Sequence, residues 1–98
     1  MARYTAGPTP KTRQCLVDMI GQYFGSQREL ATRAKLNEGS VSRLIAERNP
    51  RPATPTIVGK IVATLPPRQS VELMTAFLAD TAAMAANGYE VTVKRKVA

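Results

Sequence analysis

From residue 9 onward the apolar positions recur at helical spacing, in blocks separated by short polar or proline-bearing breaks. Leu16, Met19, Ile20, Tyr23 and Phe24 share a face and predict a first helix from about Pro10 to Phe24. Thr9-Pro10 places a cap and then a proline at the first helical position, and Gly25 ends the helix. Ser26-Gln27-Arg28-Glu29 is a capping box for a short second helix, with Leu30, Ala31 and Ala34 inward and Glu29 able to reach back to the cap. Lys35-Leu36-Asn37 forms a turn. Asn37 then caps a third helix, Glu38 to about Arg48, with Val41, Leu44 and Ile45 inward.

Asn49-Pro50-Arg51-Pro52-Ala53 reads as a rigid, basic connector. Thr54-Pro55 repeats the cap-and-proline device and opens a fourth helix carrying Ile57, Val58, Ile61, Val62 and Leu65. Pro66-Pro67 breaks it. A long fifth helix should run from about Pro67 to Ala86, with Val71, Met74, Phe77, Leu78 and Thr81 along its inner side and Asn87-Gly88 as its cap. Beyond it Tyr89, Val91, Val93 and Val97 alternate with polar residues, a strand pattern. One strand cannot satisfy its own hydrogen bonds. It must pair with the N-terminal arm, pair with its copy in another subunit, or remain a tail. The expected class is all-α, five helices with a C-terminal strand: an arm at 1–8, a domain at 9–86, and a strand or basic tail at 87–98.

Ninety-eight residues with a 44% hydrophobic fraction suit one domain with a modest core. No apolar run approaches the roughly 20 residues that span a bilayer, and the N-terminus lacks a secretion signal. A cytoplasmic protein with no membrane partner is expected. Fourteen Lys and Arg against seven Asp and Glu give +7, which favours a polyanionic partner, nucleic acid or an anionic membrane surface. The basic residues are scattered rather than lined along one amphipathic helix, which disfavours the membrane. Cys15 is the only cysteine and there is no histidine, so an internal disulfide and a cysteine-based metal cage are excluded. The usual neutral-pH general base is missing too. The expectation is no enzyme, no cofactor and no metal.

The stretch Gln27–Ile45 holds helix, three-residue turn and helix, with Ala31 small where two steeply crossing helices meet and Leu36 plugging the turn. Ser-Gln-Arg-Glu-Leu-Ala-Thr-Arg-Ala-Lys-Leu-Asn-Glu-Gly-Ser-Val-Ser-Arg-Leu, residues 26–44, resembles the helix-turn-helix of the Cro and phage lambda-repressor family. Arg48-Asn49-Pro50 resembles that family's loop, and Thr54–Leu65 its next core helix. The resemblance covers about residues 10–80 and implies a five-helix lambda-repressor-like DNA-binding domain. One departure stands out. The family commonly has glycine at the turn position held by Lys35, where the backbone tends to positive φ; lysine there costs on the order of 1 kcal/mol.

Glu38, Gly39, Ser42, Arg43 and Ala46 point away from Val41 and Leu44 on the third helix, the side a major groove would meet. Arg43 is the leading base reader, since its planar fork matches O6 and N7 of guanine; the alternative is an ion pair with Glu47. Ser42 suits a base edge or a phosphate equally. Gly39 lets backbone approach DNA closely. Glu38 either accepts from cytosine N4 or complements the helix dipole. The resemblance makes Gln27 a phosphate ligand that buttresses the recognition helix, gives Asn37 a phosphate contact after its cap, and places Arg48, Asn49 and Arg51 on the DNA backbone. Arg28, Arg33 and Lys35 are weaker candidates. Lys94-Arg95-Lys96 either grip flanking phosphate or blunt a strand edge, and Arg3 is an arm contact.

Double-stranded DNA is thus the expected partner. Members of this family usually dimerise on a two-fold operator with half-sites about one helical turn apart. The fifth helix and the C-terminal strand are the expected dimer surface. No room remains for a sensor domain, so no small-molecule effector is expected. The output is a repressor, often of its own promoter. The alternatives are an antitoxin-like module, whose fifth helix and tail neutralise a protein partner while the motif autoregulates, and an activator that touches polymerase. The setting is a phage or other mobile element.

Overall fold

The computed structural model describes residues 8–86, all of whose regular elements are helices. Helix α1 spans Pro10–Met19 and continues as a π-helical turn, Ile20–Phe24. It stops where Gly25 takes φ 89°, a left-handed conformation that glycine adopts without penalty, and donates its N–H to the Ile20 carbonyl at 2.7 Å. Helix α2 is Gln27–Ala34, α3 is Glu38–Leu44, α4 is Pro55–Val62 and α5 is Pro67–Ala86. The expected arm, the C-terminal strand with Lys94, Arg95 and Lys96, and the Asn87-Gly88 cap lie outside the described residues.

The local start signals act largely as the chain suggests. Ser26 Oγ accepts from Glu29 N at 3.1 Å, Asn37 Oδ1 from Gly39 N at 2.7 Å, and Thr54 Oγ1 from Ile57 N at 3.3 Å. The reciprocal half of the capping box is not made. The Glu29 carboxylate turns instead to Arg33, which donates its Nε–H at 2.8 Å and lies over the Tyr23 and Phe24 rings.

Thr9 departs from expectation. Helix α1 does begin at Pro10, but the Thr9 hydroxyl does not cap it; Thr9 Oγ1 accepts from the Ala53 N–H at 2.9 Å, tying the start of α1 to the connector. The cap comes from α5. Asp80 accepts from Thr12 N and Thr12 Oγ1, both at 2.7 Å, and from Lys11 N at 3.2 Å. A carboxylate at a helix N-terminus satisfies orphan N–H groups and complements the dipole.

That contact decides which face of α5 is inside. Leu73, Asp80 and Met84 are buried and Phe77 is half-buried, whereas Val71 and Leu78 are 63% and 62% exposed and Met74 is exposed as well. The expected inner stripe was therefore rotated about the axis, correct only at Phe77 and the half-buried Thr81. The core runs from Leu16, Met19 and Phe24 through Leu30, Ala31, Ala34, Val41 and Leu44 to Val58, Ile61 and Leu73. It is one contiguous cluster to which every helix contributes. Helix α2 packs against α3, α4 and the π-helical turn that ends α1.

Candidate nucleic-acid interface

The turn between α2 and α3 is set by backbone bonds. Lys35 has φ 57° and ψ 44°, the left-handed conformation expected of that position. Its N–H donates to the Thr32 carbonyl and the Leu36 N–H to the Ala31 carbonyl, at 3.3 and 2.8 Å. These two bonds are a Schellman motif, which closes α2 and redirects the chain. Leu36 then packs against the core from the turn.

Helix α3 is shorter than its apolar period suggested, ending at Leu44 rather than near Arg48. Ile45 leaves the helix at φ −105°, ψ 9°. Pro50 has no N–H to bond the Ala46 carbonyl, so a regular helix cannot be completed into this loop. Arg13 donates its Nε–H to the Ala46 carbonyl at 2.9 Å, drawing the segment after α3 down onto the domain. Ala46 is half-buried and does not extend the exposed side of α3 as expected. The Arg51 N–H donates to the Arg43 carbonyl at 2.8 Å, so the loop folds back onto the end of α3. Nothing in the sequence period announces Arg13 in this role.

Within α3, Val41 and Leu44 are buried while Glu38, Ser42 and Arg43 are exposed, and Gly39 is half-buried. A side chain at 39 would put a Cβ 3.0 Å from the Asn37 cap oxygen and 3.8 Å from the Arg43 guanidinium. Glycine there therefore serves the cap, whatever else approaches it. Glu38 lies 3.8 Å from Arg28 across the start of α2, with both side chains largely exposed, a pair worth little in stability. The described ion pairs are this one and Arg33–Glu29; an Arg43–Glu47 pair is not among them.

Gln27 stands at the first position of α2, half-buried, and Asn37 at the cap of α3, exposed. Arg48, Asn49 and Arg51 are all exposed in the loop, Asn49 at φ 47°, a conformation asparagine tolerates better than most residues. The structure thus joins Ser42, Arg43, Arg48, Asn49 and Arg51 through one short helix and the loop pinned to its end. Among the described residues no three His, Cys, Asp or Glu side chains gather as a metal site, and no helix is long and apolar enough to cross a membrane. Comparison of the chain with protein-family models, with curated proteins and with solved structures finds no match.

Proposed function

We propose that this protein is a sequence-specific DNA-binding regulator with a Cro and lambda-repressor-like fold, which inserts α3 into the major groove. The observation that carries this reading is the two-sidedness of α3. Val41 and Leu44 fasten it to the core while Arg43 and Ser42 stand in solvent, next to a loop that adds Arg48 and Arg51. Arg43 reads guanine, at about 1–3 kcal/mol of discrimination. Gln27, Asn37, Arg48, Asn49 and Arg51 meet phosphates and set the register. Glu38, Gly39 and Ser42 line the base-facing side.

One such unit covers few base pairs, so the active form is a homodimer on a palindromic operator, repressing by occlusion. The exposed apolar stripe Val71, Met74 and Leu78 on α5 supports a second copy there. The same stripe favours one rival: an antitoxin-like module whose α5 binds a different protein.

The test is binding to DNA upstream of the protein's own gene at several salt concentrations, with Arg43→Ala beside wild type. Expected is one preferred site, affinity that falls steeply with salt, and loss of the preference in Arg43→Ala. Equal binding to all DNA by both proteins, or binding by neither, rejects the reading.

A further inference from the structure

The loop between α3 and α4 presents Arg48, Asn49 and Arg51 to solvent, but its fixed points serve them unequally. The Arg51 N–H is bonded to the Arg43 carbonyl at 2.8 Å, and the Ala53 N–H to Thr9 Oγ1 at 2.9 Å. Arg51 thus carries an anchor in its own main chain, supplied by α3. Among the described bonds none engages Glu47, Arg48 or Asn49. That stretch is held only from its two ends: at Arg51, and at Ala46, where the Arg13 Nε–H meets the carbonyl at 2.9 Å. Pro50 leaves this carbonyl open to a side chain. Arg13 itself stands on a fixed base. Its own N–H donates to the Thr9 carbonyl at 3.0 Å, and its neighbour Thr12 is fastened to Asp80 of α5 by two bonds of 2.7 Å.

We propose that Arg13 is a positioning residue for the contact between the loop and the DNA backbone. Through the Ala46 carbonyl it fixes where Arg48 and Asn49 stand, and it meets no phosphate itself. The proposal rests on the regulator reading for what the loop meets, not for how the loop is held. A long cationic side chain loses conformational freedom when it binds a phosphate, and a main chain that is already ordered lowers the cost. The unequal anchoring makes the effect selective. The contribution of Arg48 depends on Arg13, whereas that of Arg51, tied directly to α3, does not.

Two substitutions at position 13 remove the same charge and differ in the bond. Arg13→Gln keeps an N–H donor as many bonds from the backbone as the arginine Nε, and Arg13→Met puts a methyl group there. Each is combined with Arg48→Ala and with Arg51→Ala, and binding to DNA upstream of the gene is titrated at several salt concentrations. In wild type and Arg13→Gln, Arg48→Ala should lower the slope of log affinity against log salt by about 1. In Arg13→Met it should lower the slope by less than half as much. Arg51→Ala should lower it by about 1 in all three backgrounds. Without DNA, the amide order parameters of Arg48 and Asn49 should stay near the rigid value of about 0.85 in wild type and Arg13→Gln, and fall below about 0.6 in Arg13→Met. Equal effects of Arg13→Gln and Arg13→Met would make the charge decisive instead of the bond and overturn the proposal. So would a full Arg48→Ala effect in Arg13→Met, or a loss shared by Arg51→Ala, which marks general loosening of the fold. If wild type binds no DNA, the regulator reading fails on its own; unchanged order parameters in Arg13→Met then overturn the positioning role, and lowered ones restored by Arg13→Gln uphold it.

Discussion

Asp80 in the middle of α5 caps α1 through Thr12, taking both its backbone N–H and its hydroxyl at 2.7 Å, with both residues buried. Two elements 68 positions apart are fixed by one carboxylate. A buried acceptor that serves several donors is expensive to remove, because each donor is left unsatisfied. Asp80→Ala should lose roughly 2–4 kcal/mol and lower Tm by at least about 10 °C in a chain of this size. Thr12→Val, which deletes only the hydroxyl, should lose about 1 kcal/mol. Denaturation of both single variants and the double should show the losses to be less than additive. Additive losses would mean that the two groups do not share this bond.

Lys35 offers the reverse case, a site that can be improved. A left-handed backbone costs an L-residue about 1–2 kcal/mol, and glycine returns part of that gain through the freedom of its unfolded chain. Lys35→Gly should stabilise by about 0.5–1 kcal/mol, read as a higher urea midpoint at unchanged slope. Asn49→Gly, at φ 47°, should change stability by no more than about 0.5 kcal/mol, because asparagine already tolerates that region. A neutral or destabilising Lys35→Gly would contradict the turn geometry.

These two positions also mark how far the sequence could be read. Lys35 was legible through the resemblance, which puts positive φ at that turn position, and the two bonds that close α2 hold it there locally. The caps at Ser26, Asn37 and Thr54 were legible because each bonds an N–H within three residues. Asp80 was not, since its partners come from the other end of the chain. The available signal was a single acid in an otherwise uncharged run from Leu73 to Ala86. Following the apolar residues alone turned the inner face of α5 the wrong way. The end of α3 was missed as well: its period persists through Ile45, but Pro50 offers no N–H to the Ala46 carbonyl, which Arg13 on another helix takes instead, and the Arg51 N–H occupies the Arg43 carbonyl. The exposed set Ser42, Arg43, Arg48, Asn49 and Arg51 followed from periodicity and loop composition, which tertiary contacts left undisturbed.

Cys15 gives stability a pH dependence. Burial pushes its thiol above the usual 9.0, and the negative charges of Glu72 and Asp18 push the same way. The folded protein therefore holds the thiol proton more tightly than the unfolded chain does. The contribution is intact below 9.0 and is lost as pH rises through the higher folded value. Urea unfolding of wild type and Cys15→Ala should show wild type losing stability faster as pH rises above 9.0, with the two profiles parallel at lower pH. Parallel pH profiles would show that the thiol titrates alike in both states.

Arg51 and Arg43 are joined by one backbone bond but should differ in function. Arg43 projects from the last turn of α3, where a base edge would lie, whereas Arg51 projects from the loop folded back onto that turn. A phosphate contact releases counterions without regard to sequence, so its loss lowers affinity for every DNA alike. Arg51→Ala should reduce the slope of log affinity against log salt by about 1 and leave site preference unchanged. Arg43→Ala should do the opposite, flattening preference by about 1–3 kcal/mol. Because the bond between them uses main-chain atoms, neither substitution deletes it, and the two effects should add when combined. Titrations of operator and scrambled DNA at three salt concentrations separate the two roles. A salt slope that ignores Arg51→Ala would remove the loop from the interface and leave α3 to bind without it.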